Sequence, residues 1–111
     1  MKYKTKDSGK RSEYKSGMRR DTQDNKPNFY LCMPLDVPFE EQMLTRWAAL
    51  MTRGKNKYGS RNWEKSDSGM EMERFKSSAF RHFIQWLTGD DPSEDHAAAC
   101  FFNITAAERL K

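Results

Sequence analysis

Ser68-Gly-Met-Glu-Met-Glu-Arg-Phe75-Lys-Ser-Ser-Ala79-Phe-Arg-His82-Phe-Ile-Gln-Trp86-Leu-Thr-Gly89 decides the fold. Met72, Phe75, Ala79, Phe83 and Trp86 recur at three- and four-residue intervals, the spacing that puts side chains on one face of a helix. Ser68 followed by Glu71 has capping-box spacing, and Gly89 stops the run. A helix from about Ser68 to Gly89 is therefore predicted. His82 falls in the same stripe, three residues after Ala79 and four before Trp86, so it points inward. Arg81 and Gln85 stand one turn apart on the adjoining face.

Two more helices flank this one. Upstream, Phe39, Met43, Trp47, Leu50 and Met51 predict a helix over 37–53, with Pro38 in its first turn and Gly54 at its exit. Downstream, Asp90-Asp91-Pro92-Ser93 reads as a turn, with Ser93 the expected cap of a third helix running from Glu94 to Arg109. That third helix is apolar almost all round, as expected of a central or oligomer-facing helix, and Ala97–Ala99 would let a neighbour approach closely. The expected class is all-α, a small bundle of about three main helices. Because 111 residues bury only a modest core, a homo-oligomer completing the bundle is expected.

The N-terminal end is different in kind. Residues 1–20 carry eight basic and two acidic side chains, a balance of +6, and the remainder sums to −2. With so few apolar groups, residues 1–16 are expected to be a mobile basic arm, and 17–111 the folded domain. Such an arm can be a solvated tail or can grip phosphate backbones. The acidic balance of the rest argues against nucleic acid as the partner. Phe29-Tyr30-Leu31-Cys32-Met33, closed by Pro34, reads as an extended segment over a core or an edge strand. Cys32 and Cys100 sit in apolar stretches and read as buried, reduced thiols. The longest apolar run, 97–102, is too short to span a bilayer, and the opening Met-Lys-Tyr-Lys-Thr-Lys-Asp has no secretory signature. A cytoplasmic location is expected.

Chemistry can sit in two places. Between the first two helices, Lys55-Asn-Lys57-Tyr58-Gly59-Ser60-Arg61-Asn62-Trp63-Glu64-Lys65 reads as a loop that mixes cations, amides and π-faces, suited to phosphates and a base. It is not a P-loop, since the Lys before Ser or Thr is missing and no strand precedes it. The second place is the inner sides of the second and third helices, with His82 on one and His96, Asn103 and Asp95 on the other. Each of these could simply be a satisfied core group, but burying several polar groups together is costly unless they bind something or one another. A zinc set from Cys32, His82, His96 and Cys100 lacks paired-ligand spacing beyond His96-xxx-Cys100.

The order of four elements resembles a known family. Arg19-Arg20-Asp21-Thr22 with Lys26-Pro27, then Lys57-Tyr58-Gly59-Ser60-Arg61-Asn62-Trp63, then Ser78-Ala79-Phe80-Arg81-His82 through Trp86 to Gly89, then His96-Ala-Ala-Ala with Asn103, resemble the phage dATP/dGTP diphosphohydrolases, which are MazG-like. The resemblance covers about residues 17–108. It implies an α-helical hydrolase that converts a purine deoxynucleoside triphosphate to the monophosphate and pyrophosphate with Mg²⁺ (or Mn²⁺), in the host cytoplasm if phage-encoded. On that resemblance Lys26, Lys57, Tyr58, Arg61, Asn62, Trp63, Arg81 and Asn103 would bind nucleotide. His82, His96 and Asp95 would be catalytic, and Glu41, Glu94 and Asp95 would hold metal. The MazG pattern Glu-Glu-x-x-Glu is incomplete here, because Glu40-Glu41 is followed by Gln42, Met43 and Leu44. The remaining acids, together with His82 and His96, are then the set left to hold an ion. The alternative is a protein that binds and sequesters a nucleotide without cleaving it.

Overall fold

The computed structural model describes residues 7–22 and 25–111. It divides between Pro34 and Leu35 into two compact units. In the first, strand β1 (Arg11–Glu13) pairs antiparallel with β2 (Arg19–Asp21), with Arg11 opposite Asp21 and Glu13 opposite Arg19. The connecting turn is closed by the Tyr14 N–H on the Met18 carbonyl and the Gly17 N–H on the Tyr14 carbonyl. Arg11 bridges Asp7 at 2.7 Å and Asp21 at 2.8 Å. The expected boundary between arm and domain at 16/17 thus falls inside the turn of a hairpin, and opposite charges across the strands supply what the missing apolar residues do not. Residues 1–6 of the expected arm lie outside the described residues. The segment Phe29–Cys32 is a 3-10 turn capped by Asn28, not an extended segment, and Phe29, Tyr30 and Leu31 are exposed.

The second unit holds three α-helices: α1 (Met43–Tyr58), α2 (Gly69–Thr88) and α3 (His96–Arg109). α2 begins and ends where the sequence places it. The Ser68 hydroxyl accepts from the Glu71 N–H at 3.1 Å and donates to the Glu71 carboxylate at 2.7 Å, and Gly89 closes the helix at φ 74°. α1 is shifted toward the C-terminus by about one and a half turns at each end relative to expectation. Phe39–Glu41 forms a separate 3-10 turn, and Gln42 is extended at ψ 142°, so the helix starts only at Met43. It then runs straight through Gly54, because a single interior glycine costs only about 1 kcal/mol against alanine. α3 is capped by Asp95 rather than Ser93, its carboxylate accepting from the Ala98 N–H at 3.1 Å.

α3 is the shared element, packing extensively on α2 and also on α1. Its buried positions, His96, Ala98, Ala99, Asn103, Ala106 and Ala107, make a small-residue surface on which neighbouring backbones come close. It is not apolar-buried all round, since Phe101 and Ile104 are exposed. No large side chain among the described residues is fully buried. Aromatic edges fill the seams instead: Trp47 meets Phe101 with ring centres 4.9 Å apart, and Phe102 takes Trp63 at 5.8 Å and Phe75 at 6.2 Å. On α2 the buried line is Ala79 and His82 with Met72 and Phe75 half-buried, while Phe83 and Trp86, expected inside, are exposed. The thiols are free, with Cys100 half-buried and Cys32 exposed, contrary to the buried reading of Cys32. No helix among the described residues is long and apolar enough to cross a membrane.

Candidate functional site

A cavity of about 720 Å³ opens between the C-terminal half of α1, the segment that follows it, α2 and α3. Its walls come from local rules in the sequence. Running α1 on to Tyr58 brings Lys55 and Lys57 onto its last turn, where cations also offset the negative end of the helix dipole. Gly59 then takes φ 92° and ψ 160°, a conformation open essentially to glycine, and turns the chain sharply. Arg61 is left-handed at φ 57° and leads into the 3-10 turn Asn62–Lys65. The Arg109 guanidinium donates to the Ser66 carbonyl at 2.9 Å, tying this segment to the end of α3. Trp63 is thereby seated against Phe102.

Five cations, Arg53, Lys55, Lys57, Arg61 and Lys65, line this cavity beside Tyr58, Trp63, Phe75 and Phe102. Lys57 Nζ lies 5.1 Å from the centre of the Tyr58 ring, and Arg61 pairs with Glu64 at 2.6 Å. Asn103 is buried, and its amide nitrogen donates to the Ala99 carbonyl at 2.8 Å, which turns the side-chain oxygen the other way. Glu71 also lines the cavity, but its carboxylate accepts from the Ser68 hydroxyl and the Asp67 N–H, which hold it below the usual carboxylate range. Glu94 is the other acid of the lining and is half-exposed.

The two histidines meet where α2 and α3 pack. His82 Nδ1 lies 3.0 Å from His96 Nδ1, with both rings buried. His96 Nε2 donates to the Asp91 carbonyl at 2.9 Å. His82 Nε2 is 3.4 Å from Arg81 Nη2 and 3.8 Å from Glu94 Oε1. Burial, then the charge of Arg81, push the His82 imidazole below its ordinary value, so it is neutral around pH 7.

Asp95 stands differently. Arg46 grips it with both arms of the guanidinium, Nε to Oδ2 at 2.8 Å and Nη2 to Oδ1 at 2.7 Å, and these bonds hold the acid below the usual range. Asp95 and Arg46 border a second recess of about 420 Å³ with Gln85, Trp86, Asp90 and Glu94. Glu94 is the acid common to both cavities. Glu41 is exposed in the 3-10 turn before α1 and lines neither cavity. Arg81 is exposed and donates to Gln85 at 3.3 Å. Lys26 belongs to the first unit.

The structure thus brings together Lys57, Tyr58, Arg61, Asn62, Trp63, His82, Glu94 and Asn103 around one cavity, with His96 against His82. Sequence reasoning missed Arg46, Arg53, Lys55, Lys65, Glu71, Phe75 and Phe102 as parts of the two cavity walls. Arg46 had a signal: it is three residues from Met43 and four from Leu50, a charge set in an apolar stripe, which calls for a buried partner.

A small helical unit with a cation-rich, aromatic-lined cavity beside paired histidines is the setting for an anionic, ring-bearing ligand. The family model described as dATP/dGTP diphosphohydrolase, N-terminal, matches residues 14–110, and the chain belongs to that family. No curated protein and no solved structure matches it.

Proposed function

We propose that the larger cavity binds a purine deoxynucleoside triphosphate and that the protein hydrolyses it to the monophosphate and pyrophosphate. The observation that carries this reading is the convergence of five cations and four aromatic rings on one cavity whose inner wall holds His82, Glu94 and Asn103. Cations offset the triphosphate charge and flat rings stack a base. In the reaction a water oxygen bonds to the α-phosphorus, the bond from that phosphorus to the bridging oxygen breaks, and pyrophosphate leaves with the electron pair. His82, kept neutral by burial, is suited to take the proton of that water. Mg²⁺ or Mn²⁺, when bound, would offset phosphate charge and acidify water. Magnesium binds through one or two carboxylates plus phosphate oxygens and waters, and Glu94, unlike Glu71 and Asp95, has no carboxylate oxygen held by a cap or a guanidinium. Glu94 is therefore the one carboxylate of the lining that would hold such an ion, the other oxygens coming from the phosphates and water.

The same reading makes the protein a phage-type enzyme of the host cytoplasm that works as a homo-oligomer. Support for the oligomer is the exposed stripe Phe80, Phe83, Ile84 and Leu87 on α2, which has helical spacing and is large for a monomer. A second reading is favoured by one specific observation: with a single uncommitted acid in the cavity lining, the site has the means to hold a nucleotide but few to assemble a metal cage. On that reading the protein sequesters a nucleotide uncleaved. A panel of deoxynucleoside triphosphates with and without Mg²⁺ and Mn²⁺, scoring affinity and released pyrophosphate, separates the two. Tight binding with no pyrophosphate from any member overturns hydrolysis. No binding of any member overturns both.

A further inference from the structure

The meeting of His82 and His96 imposes a constraint that neither ring shows alone. The Asp91 carbonyl can only accept, so His96 Nε2, 2.9 Å away, carries the hydrogen and His96 Nδ1 is a bare lone pair. Arg81 can only donate, so His82 Nε2, at 3.4 Å, is a lone pair, and the His82 hydrogen sits on Nδ1, pointing at His96. Two buried nitrogens 3.0 Å apart are therefore held together by one positive centre, here a hydrogen. The outer arrangement is the one metal-ligating histidines use: a ring N–H fixed by a backbone carbonyl so that the opposite nitrogen faces inward. Glu94 supplies the third group. One nitrogen of each ring and a Glu94 oxygen all lie within 4.8 Å of one another.

We propose that His82, His96 and Glu94 bind a divalent transition-metal ion of the zinc type, an ion class distinct from magnesium. Two imidazoles and a glutamate are the protein ligands of a common class of catalytic zinc site, which leaves a coordination position open. Nitrogen donors favour such borderline ions, whereas magnesium is served by oxygen alone. A tetrahedral ion with bonds of about 2.0–2.2 Å sets its ligand atoms roughly 3.3–3.6 Å apart, so the histidine nitrogens at 3.0 Å must part only slightly. The exposed Glu94 side chain closes the remaining distance by rotation. No proton is released on binding: the His82 hydrogen moves from Nδ1 to Nε2, and the exposed Arg81 side chain, already bonded to Gln85, withdraws from that nitrogen. Because Glu94 borders both cavities, the open position faces space that a water or a phosphate oxygen can enter. With the zinc-type ion bound, Glu94 holds it in place of magnesium and His82 is a ligand in place of a base, so the inference revises those two roles and rests on the proposed function only for what the ion acts upon.

The test uses the full chain freed of metal by chelation, without nucleotide. Zn²⁺ is titrated by calorimetry, Co²⁺ by its visible absorption, and Mg²⁺ in parallel. The expected result is one Zn²⁺ or Co²⁺ per chain at micromolar affinity or tighter, a Co²⁺ spectrum of low coordination number, and no competition from millimolar Mg²⁺. Glu94→Gln and His96→Gln should each weaken binding by at least roughly tenfold. Glu94 is exposed, so Glu94→Gln keeps the fold and carries the test if His96→Gln does not fold. Absence of saturable Zn²⁺ binding, or wild-type affinity in Glu94→Gln, overturns the proposal. Pyrophosphate release is scored separately with Mg²⁺: zinc binding without hydrolysis leaves this inference standing and removes the hydrolase reading, and hydrolysis without zinc binding does the reverse.

Discussion

Removing the Asp95 charge should loosen the second unit, and the size of the effect follows from the contacts. Two charge-assisted bonds of 2.7 and 2.8 Å join Asp95 to Arg46, with side-chain exposures of 24% and 35%. Losing a hydrogen bond to a charged group costs about 1.5–3 kcal/mol, and fully exposed pairs are worth about 0.2–1 kcal/mol. A partly buried bidentate pair lies between, so a double-mutant cycle of Asp95→Asn with Arg46→Met should give a coupling of about 1–2 kcal/mol. Asp95→Asn keeps an oxygen for the Ala98 N–H, so the cap survives in that variant, whereas Asp95→Ala should lose about 1 kcal/mol more. Trp47, Trp63 and Trp86 all lie in this unit and report its unfolding in urea by fluorescence. The pH dependence has a definite sign. Arg46 holds the folded carboxyl below its unfolded value, so the unfolded chain binds more protons at low pH. The contribution is complete above the ordinary carboxylate range and is lost as pH falls below about 4. A coupling below about 0.3 kcal/mol at pH 7, or one that persists unchanged at pH 3, would refute this account of how α1 and α3 are joined.

Gly59→Ala should destabilise by about 1–3 kcal/mol through backbone strain alone, because no atom lies within 4 Å of the added methyl group; thermal unfolding at wild-type temperature would contradict it. Arg61→Ala and Trp63→Ala should each weaken deoxynucleotide binding by about 1–3 kcal/mol while leaving the helical circular dichroism intact. Unchanged affinity in both would move the ligand out of the larger cavity. Phe80→Glu with Leu87→Glu should dissociate the oligomer, since these side chains are 65% and 66% exposed and lie on one stripe of α2. Light scattering that finds the wild type already monomeric at micromolar concentration ends that reading.

What could be read in the sequence was whatever depends on neighbours within one turn. Ser68 and Glu71 cap each other across three residues, so α2 was legible to the residue, and the inward direction of His82, His96 and Asn103 followed from helical period alone. What escaped depends on competition between local signals. Pro38-Phe39-Glu40-Glu41 has the composition of a helix start, yet the 3-10 turn it forms is broken by extended Gln42. Gly54 was expected to end α1, yet the helix ends at Gly59, the one of the two at positive φ. Ser93 was the expected cap of α3, but Asp95 caps it, held in place by Arg46 of α1. The site depends on the same long-range term. Periodicity gives the face on which His82 and His96 lie but not how far each helix turns about its axis. That rotation is fixed by small residues: Ala79 on α2 and Ala98, Ala99, Ala106 and Ala107 on α3 are the buried apolar positions, and their short side chains let the backbones close until the imidazoles touch. The apolar core and the polar site are therefore one packing decision.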